Sequence, residues 1–341
     1  MDHEIDYAPG RTGSEQVLFA HDGNLGRMLL NRPKAINSLT AEMCVAMLDQ
    51  LERWAEDPAI KAVSIQGAGE RGLCAGGDVK ALRQALVDDP KSTAPVEFWE
   101  AEYRLNQLIA EYPKPYIAIM DGIVMGGGMG VSTHGSIRLV TERTKVAMPE
   151  TIIGFFPDVG VLHSLARVPD EFGTFLALTG STIGPGDTLA AGLADHLIAQ
   201  DDIDAHLAAV AAGGVLPPFP PNPEPESFGA AWIAESFTGD DAAAILKRLQ
   251  KHSDPAAQQA AEQIEARSPF SVAVTLAALR RAADLSLPEV LAQDLKLATH
   301  FAGDPDFSEG VRAQLVDRGD KPKWRHKSLA KVDADEVAAL F

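Results

Sequence analysis

Apolar and polar positions in the first part of the chain fall into short blocks, and the period of each block selects an element. Residues 16–20 and Leu25–Leu30 are apolar-rich runs on either side of His21-Asp22-Gly23-Asn24, a turn-forming tetrapeptide, and together they predict a β-hairpin. Residues 40–56 place Met43, Met47, Leu48, Leu51 and Trp54 at helical spacing, with Glu42 in the first turn and Asp57-Pro58 closing the segment. Residues 61–66, Tyr116–Met120 and 137–141 have the length and apolar content of strands. Strand, glycine-rich loop and helix recur, as in a βαβ architecture.

Residues 213–228 break this pattern. Pro217, Pro218, Pro220, Pro221, Pro223 and Pro225 exclude both a helix interior and a central strand. Beyond them, Ala242–Lys251, 256–267, 272–283 and 288–301 are Ala/Leu-rich segments of helical period with little strand character. The expected organisation is an α/β core over residues 1–212, a proline-rich linker over 213–228 and a helical C-terminal region over 229–341. A chain of 341 residues is long enough to bury a large core, and 46% apolar with 23% charged residues excludes a mainly disordered chain.

Charge and cysteine usage narrow the function classes. The 48 acidic and 30 basic residues give a formal charge of -18, which repels nucleic acid and the anionic face of a membrane. Neither is expected as a partner. Cys44 and Cys74 are too few for a disulfide framework, and no C-x-x-C or H-E-x-x-H occurs, so no metal site is expected. The acidic start, Met-Asp-His-Glu-Ile-Asp, has no basic leader character, and apolar stretches such as Tyr116–Met120 and 207–216 fall far short of the roughly 20 residues that span a bilayer. The expectation is a soluble, cytoplasmic protein.

Three segments carry candidate chemistry. Gly67-Ala68-Gly69-Glu70-Arg71-Gly72 matches G-x-G-x-x-G after a strand, but Leu73-Cys74-Ala75-Gly76-Gly77 follows where a dinucleotide loop would open a helix, so the match reads as a glycine-rich turn. Neither a Walker A sequence nor a G-x-S-x-G elbow is present. Cys74-Ala75-Gly76-Gly77-Asp78 and Met125-Gly126-Gly127-Gly128-Met129-Gly130 each lie between a predicted strand and a predicted helix. Such loops supply either converging N–H donors for an oxyanion or close helix-sheet packing, and the residues alone leave both open. Glu150 and Asp158 lie on the otherwise apolar run from Ala147 to Gly160, where burial would raise their pKa values into the range of proton exchange near neutral pH. For Asp158, which precedes 159–165, a helix N-cap is the competing reading.

Together these segments resemble the crotonase (enoyl-CoA hydratase/isomerase) superfamily, from Asn31-Arg32-Pro33-Lys34-Ala35-Ile36-Asn37 through Gly180 to Leu193-Ala194-Asp195. Within it the chain is most similar to the 3-hydroxyisobutyryl-CoA hydrolase branch. A hydratase of the superfamily carries G-G-G-C-E in the second glycine loop, whereas Met129-Gly130 stand at the last two positions here. The superfamily's P-E motif matches Glu150, and its usual glycine eight residues later is replaced by Asp158. Ser268-Pro269, Phe307-Ser308-Glu309-Gly310-Val311-Arg312-Ala313, Leu315-Val316-Asp317 and Lys321-Pro322-Lys323-Trp324 look like the tail of the same branch.

The resemblance implies a crotonase-like ββα spiral core with a C-terminal helical region, and hydrolysis of a short, branched 3-hydroxyacyl-CoA in valine catabolism. It implies Gly77 and Gly127 as oxyanion donors. Glu150 would act as nucleophile or general base, and Asp158 would orient water or the substrate hydroxyl. Lys34, Ala35, Cys74, Ala75, Asp78 and Val79 would bind coenzyme A, which enters as part of the substrate and not as a cofactor; for Lys34 a solvated loop lysine is the equal alternative. Superfamily members often form trimers or hexamers, so a homo-oligomer is allowed, while the helical tail could cap a smaller assembly. Two other functions stay open: an enoyl-CoA hydratase or isomerase working through Glu150, and a non-catalytic acyl-CoA binding protein.

Overall fold

The computed structural model describes residues 5–213 and 216–341. Residues 1–4 of the acidic N-terminus, and Gly214 and Val215 of the proline-rich stretch, lie outside the described residues. In chain order the strands are β1 (Ala8–Pro9), β2 (Val17–Asp22), β3 (Leu25–Leu30), β4 (Ala62–Gly67), β5 (Tyr116–Met120), β6 (Ile123–Met125), β7 (Ile137–Val140), β8 (Lys145–Ala147) and β9 (His196–Leu197). The first eight helices are α1 (Ala41–Glu56), α2 (Val79–Asp88), α3 (Ala94–Ala110), α4 (Gly127–Thr133), α5 (Val161–Leu165), α6 (Phe172–Thr179), α7 (Pro185–Ala190) and α8 (Ile203–Ala211). The others are α9 (Ala231–Ser236), α10 (Ala242–Lys251), α11 (Pro255–Glu265), α12 (Pro269–Ala282), α13 (Leu287–Ala302), α14 (Pro305–Val311) and α15 (Ala334–Ala338).

The chain divides into two compact units, one drawn from residues 1–77, 101–146 and 183–226, the other from 78–100, 147–182 and 227–341. The first unit holds a seven-stranded sheet in the order β1-β2-β3-β4-β5-β7-β9, and β6 pairs with β8 in a small second sheet. β2 and β3 form the expected antiparallel hairpin, with Val17 opposite Leu30 and the turn at Gly23-Asn24. From β3 onward the neighbours are parallel, Leu25 facing Ala62 and Ile117 facing Ile137. A parallel neighbour needs a crossover, and α1 provides the one between β3 and β4. Thr40 caps α1 by accepting from Met43 N at 3.2 Å, and Met43, Met47, Leu48, Leu51 and Trp54 are its buried face, as the spacing predicts. Every residue of β5 is buried, which is why its sequence is a continuous apolar run and not an alternating one.

Leu25, Ala62, Ile117, Ile119, Leu139 and Leu207 meet in the core of this unit. Residues 216–226 carry no regular element, yet Phe219 packs against that core with its ring centroid 3.9 Å from the ring of His196. Asp195 accepts hydrogen bonds from Arg138 N at 2.7 Å, Nε at 3.1 Å and Nη2 at 2.6 Å, tying β7 to the segment before β9. Burial works against the Asp195 charge, but the Arg138 hydrogen bonds and positive charge outweigh it and hold the carboxyl below its usual range. A depressed carboxyl pKa stabilises the fold at neutral pH and loses that contribution as the carboxylate is protonated in acid. Asp195→Asn is therefore expected to cost about 1 kcal/mol at neutral pH, and less in acid, in urea denaturation.

The second unit is helical beyond residue 226, where every described regular element is a helix. Aspartate and serine caps mark the starts. Asp241 accepts from Ala243 N and Ala244 N, Asp254 from Ala256 N, and Ser286 with Glu289 forms a capping box. The unit's aromatic core joins Trp99 of α3, Phe155, Phe156, Phe301 of α13 and Phe307 of α14. Trp99 stacks on Phe155 at 5.3 Å and 14°, and Phe155 meets Phe301 and Phe307 at 5.6 and 5.4 Å. Among the described residues, no helix is long and apolar enough to cross a membrane.

Candidate active site

In the first unit the two glycine loops come together through backbone pairing. Cys74 N donates to Ile123 O at 3.1 Å and Met125 N to Cys74 O at 2.9 Å, so the first loop lies alongside β6, which leads into the second. Leu39 N donates to Gly76 O at 2.8 Å and fixes the far side of the first loop. The result brings two donors close: a Cβ built on Gly127 would lie 3.5 Å from Gly77 N, and one built on Gly76 would lie 3.8 Å from Gly127 N. Neither N–H donates to a backbone acceptor among the described residues. For Gly127 this follows from its place as the first residue of α4, whose opening N–H groups have no intrahelical partner. Two neighbouring N–H groups without backbone acceptors can hold a carbonyl oxygen as negative charge develops on it.

The other half of the predicted chemistry lies in the second unit. Met148-Pro149 leads into a short 3-10 turn, Glu150–Ile153, closed by Gly154 in the left-handed conformation and by a bond from Phe155 N to Glu150 O at 3.0 Å. This turn is seated on the C-terminal tail: a Cβ on Gly154 would lie 2.4 Å from Asp306 O, and one on Gly310 would lie 2.3 Å from Ile153 C. Ser271 donates its hydroxyl to Phe155 O. Ser268 caps α12 and donates to Asp306 Oδ2 at 2.6 Å. The tail residues that signal the hydrolase branch therefore support the segment that carries Glu150.

Glu150 is 8% exposed, and its Oε2 is buried with no hydrogen bond to protein. Burial first, and the adjacent Asp158 charge second, push its carboxyl well above the ordinary value, while a backbone N–H pulls the other way. Asp158 is 5% exposed. It does not cap the following helix: Gly160 is the N-cap of α5, and no side chain caps that end. The capping reading of Asp158 is thus set aside, and a pair of buried carboxyls remains in which the charge of one opposes ionisation of the other, an arrangement suited to passing a proton.

The residues expected to hold coenzyme A are spread over both units. Lys34 and Ala35 lie exposed on a 3-10 turn, Pro33–Ala35, that Asn37 pins from beneath. Asn37 is fully buried, accepts from Arg32 N and donates to Ala68 O and Gly72 O. Ala75 is half-buried. Asp78 caps α2, accepting from Ala81 N, and Val79 opens that helix. Cys74 is buried with its thiol pushed up to about 12, chiefly by burial, which suits packing and not nucleophilic attack. The G-x-G-x-x-G match is a turn, as expected. A Cβ at Gly72 would lie 2.1 Å from Ile123 N, so the glycine serves backbone packing.

Two acidic residues were not visible as site candidates in the sequence. Glu102 of α3 is buried, and its Oε1 would lie 2.3 Å from a Cβ on Gly127, so its carboxyl stands beside the second glycine loop. Asp294 of α13 is also buried, and its Oδ2 accepts from Gly160 N at 2.8 Å. Neither lies in a motif. The only available signal was an acid within an amphipathic helix, which ordinarily means a solvated face.

Comparison with known proteins agrees with this geometry. The family model described as enoyl-CoA hydratase/isomerase matches residues 25–341. The mitochondrial 3-hydroxyisobutyryl-CoA hydrolase of Danio rerio is 36% identical over 97% of this chain and 90% of its own length, and that of Homo sapiens 34% identical over 99% and 92%. Among solved structures, a carnitinyl-CoA dehydratase from Mycobacterium thermoresistibile superposes with a TM-score of 0.90 at 46% identity, covering 96% of each chain. An enoyl-CoA hydratase from Rhodobacter sphaeroides superposes with a TM-score of 0.91 at 36% identity, covering 96% of this chain and 97% of that one. The hydrolase relatives are mitochondrial proteins, which overturns the expectation of a cytoplasmic location. That expectation rested on the acidic start and on apolar stretches too short to span a bilayer, neither of which identifies a compartment. With the family model matched from β3 to the last residue and the fold shared with crotonase enzymes, the chain belongs to the enoyl-CoA hydratase/isomerase family.

Proposed function

We propose that the protein is an acyl-CoA thioester hydrolase that converts 3-hydroxyisobutyryl-CoA and water to 3-hydroxyisobutyrate and coenzyme A, a step of valine catabolism. The observation that carries this reading is the buried Glu150 and Asp158 pair, in a chain whose second glycine loop has Gly130 where a hydratase of the family has its other catalytic carboxylate. The relatives named as hydrolases of this thioester support it.

The thioester carbonyl oxygen accepts from Gly77 N–H and Gly127 N–H, and Glu150 takes a proton from the attacking water. Its raised pKa suits a base that must also return the proton. Water oxygen bonds to the carbonyl carbon, the tetrahedral oxyanion collapses, the C–S bond breaks, and the departing thiolate receives the proton from Glu150. Asp158 orients the water or the substrate hydroxyl. Lys34, Ala35, Cys74, Ala75, Asp78 and Val79 bind the coenzyme A portion, with Arg32 and Lys34 supplying local positive charge on an acidic protein.

A second reading has an observation behind it: the two superposed structures are described as a dehydratase and a hydratase, and the first is more similar in sequence than the hydrolases above. The two chemistries differ in product. Free thiol should appear from 3-hydroxyisobutyryl-CoA, with no loss of enoyl absorbance from crotonyl-CoA. Enoyl absorbance lost without thiol release would establish the hydratase instead, and binding of both esters without turnover would make the protein a carrier.

A further inference from the structure

The turn that presents Asp158 is held in a conformation its sequence does not favour. Val159 has φ of 55° and Gly160 φ of 73°, two consecutive left-handed residues, and the first of them is β-branched. For such a side chain that region is an outlier, maintained only where surrounding groups over-determine it. No side chain caps the helix that follows. The bond from Gly160 N–H to Asp294 Oδ2 crosses 134 residues of sequence to fasten the turn to α13.

Asp294 is 0% exposed, and its Oδ1 is buried with no hydrogen bond to protein. Burial and then the Asp158 charge push its carboxyl well above the ordinary range, while the Gly160 N–H favours the charged form. Placing an acid there is unfavourable, but an apolar side chain of the same shape would leave the buried Gly160 N–H without this acceptor. A carboxyl oxygen is needed if the N–H must be held in one place.

We propose that Asp294 is a positioning residue for thioester hydrolysis, fixing the Asp158 carboxyl by clamping the 158–160 turn through Gly160 N–H. The inference rests on the proposed hydrolase function. What the clamp requires is an acceptor oxygen, not a negative charge, and this separates it from a charge-sharing or a packing role.

Asp294→Asn keeps an acceptor of the same size, and Asp294→Leu keeps the branched outline, in a somewhat larger side chain, without one. Thiol release from 3-hydroxyisobutyryl-CoA is measured for both alongside the unaltered protein, with melting temperature and KM recorded. Asp294→Leu is expected to fold and to lower kcat at least about tenfold with KM within about threefold, because a misplaced group costs rate more than binding. Asp294→Asn is expected to keep at least about a third of kcat. Unchanged kcat in Asp294→Leu, an equal loss in both variants, or a loss confined to KM overturns the proposal. An Asp294→Leu chain that does not fold makes Asp294 a folding residue and overturns it too. Absence of thiol release in the unaltered protein would overturn the hydrolase reading itself, a result the variants cannot mimic.

Discussion

Glu150→Gln should lower kcat for thiol release by about 10²–10⁴, the range that a positioned general base contributes. Gln is isosteric with Glu, so the 3-10 turn, the Gly154 close and the aromatic core beneath it have no reason to rearrange. What is removed, on the proposed mechanism, is the group that takes the proton. The unaltered enzyme should also show an acid limb in kcat that lies above the ordinary carboxylate range, because Glu150 must lose its proton to act and burial beside Asp158 opposes that loss.

The same shift makes a stability prediction of opposite sign. The folded-state pKa of Glu150 is raised above its unfolded value, the ordinary glutamate value of about 4.5, so between the two the folded chain binds more protons than the unfolded one. Stability therefore falls as pH rises through that window, and Gln, which cannot ionise, does not share the loss. Glu150→Gln should melt at a higher temperature than the unaltered protein above neutral pH and nearly with it in acid, as in sites where function is maintained against stability. A variant that is inactive and less stable above neutral pH would identify Glu150 as a stabilising charge instead. One that keeps full thiol release would sink the base role.

The sequence was most readable where a period runs long enough to be heard. α1 and α10 to α13 have an apolar face repeated over several turns and ends marked by Thr40, Asp241, Asp254, Ser268 and Ser286, and they stand within a few residues of where the spacing predicts. β5 is short but wholly apolar, which is the pattern of a buried parallel strand, and β7 departs from it at Arg138, which pairs with Asp195. β6 and β8 have three residues each and offer no period at all, yet β6 is what brings the two glycine loops alongside one another.

The site divides in the same way. Glu150 and Asp158 were readable because two acids on an apolar run contradict their surroundings. Asp294 and Glu102 were not, because their own helices give an acid every reason to face water. Only Gly160, distant in sequence, and Gly127, on another element, make these two acids part of a site. Asp158 was ambiguous between capping and chemistry until the helix start fell at Gly160.

Gly127→Ala carries the second large expected effect, a loss of about 10²–10³ in kcat, the typical consequence of losing one oxyanion donor. The added Cβ would meet Glu102 Oε1 at 2.3 Å and Leu39 Cδ1 at 3.1 Å, and would stand 3.5 Å from Gly77 N. The first of these distances is too short to persist. Glu102 is 2% exposed and Leu39 fully buried, so neither can swing aside into solvent, and the strain passes to the loop that carries the donor. A displacement of even about 1 Å is enough to take an N–H out of reach of the developing oxyanion. The loss should appear in kcat with little change in KM, because the donor bonds strengthen in the transition state and not on binding. Gly184→Ala is the matched control, since a Cβ there meets nothing within 4 Å and its φ of -87° suits any residue. If Gly127→Ala and Gly184→Ala release thiol at similar rates, the second glycine loop packs the helix against the sheet and the carbonyl oxygen is held elsewhere.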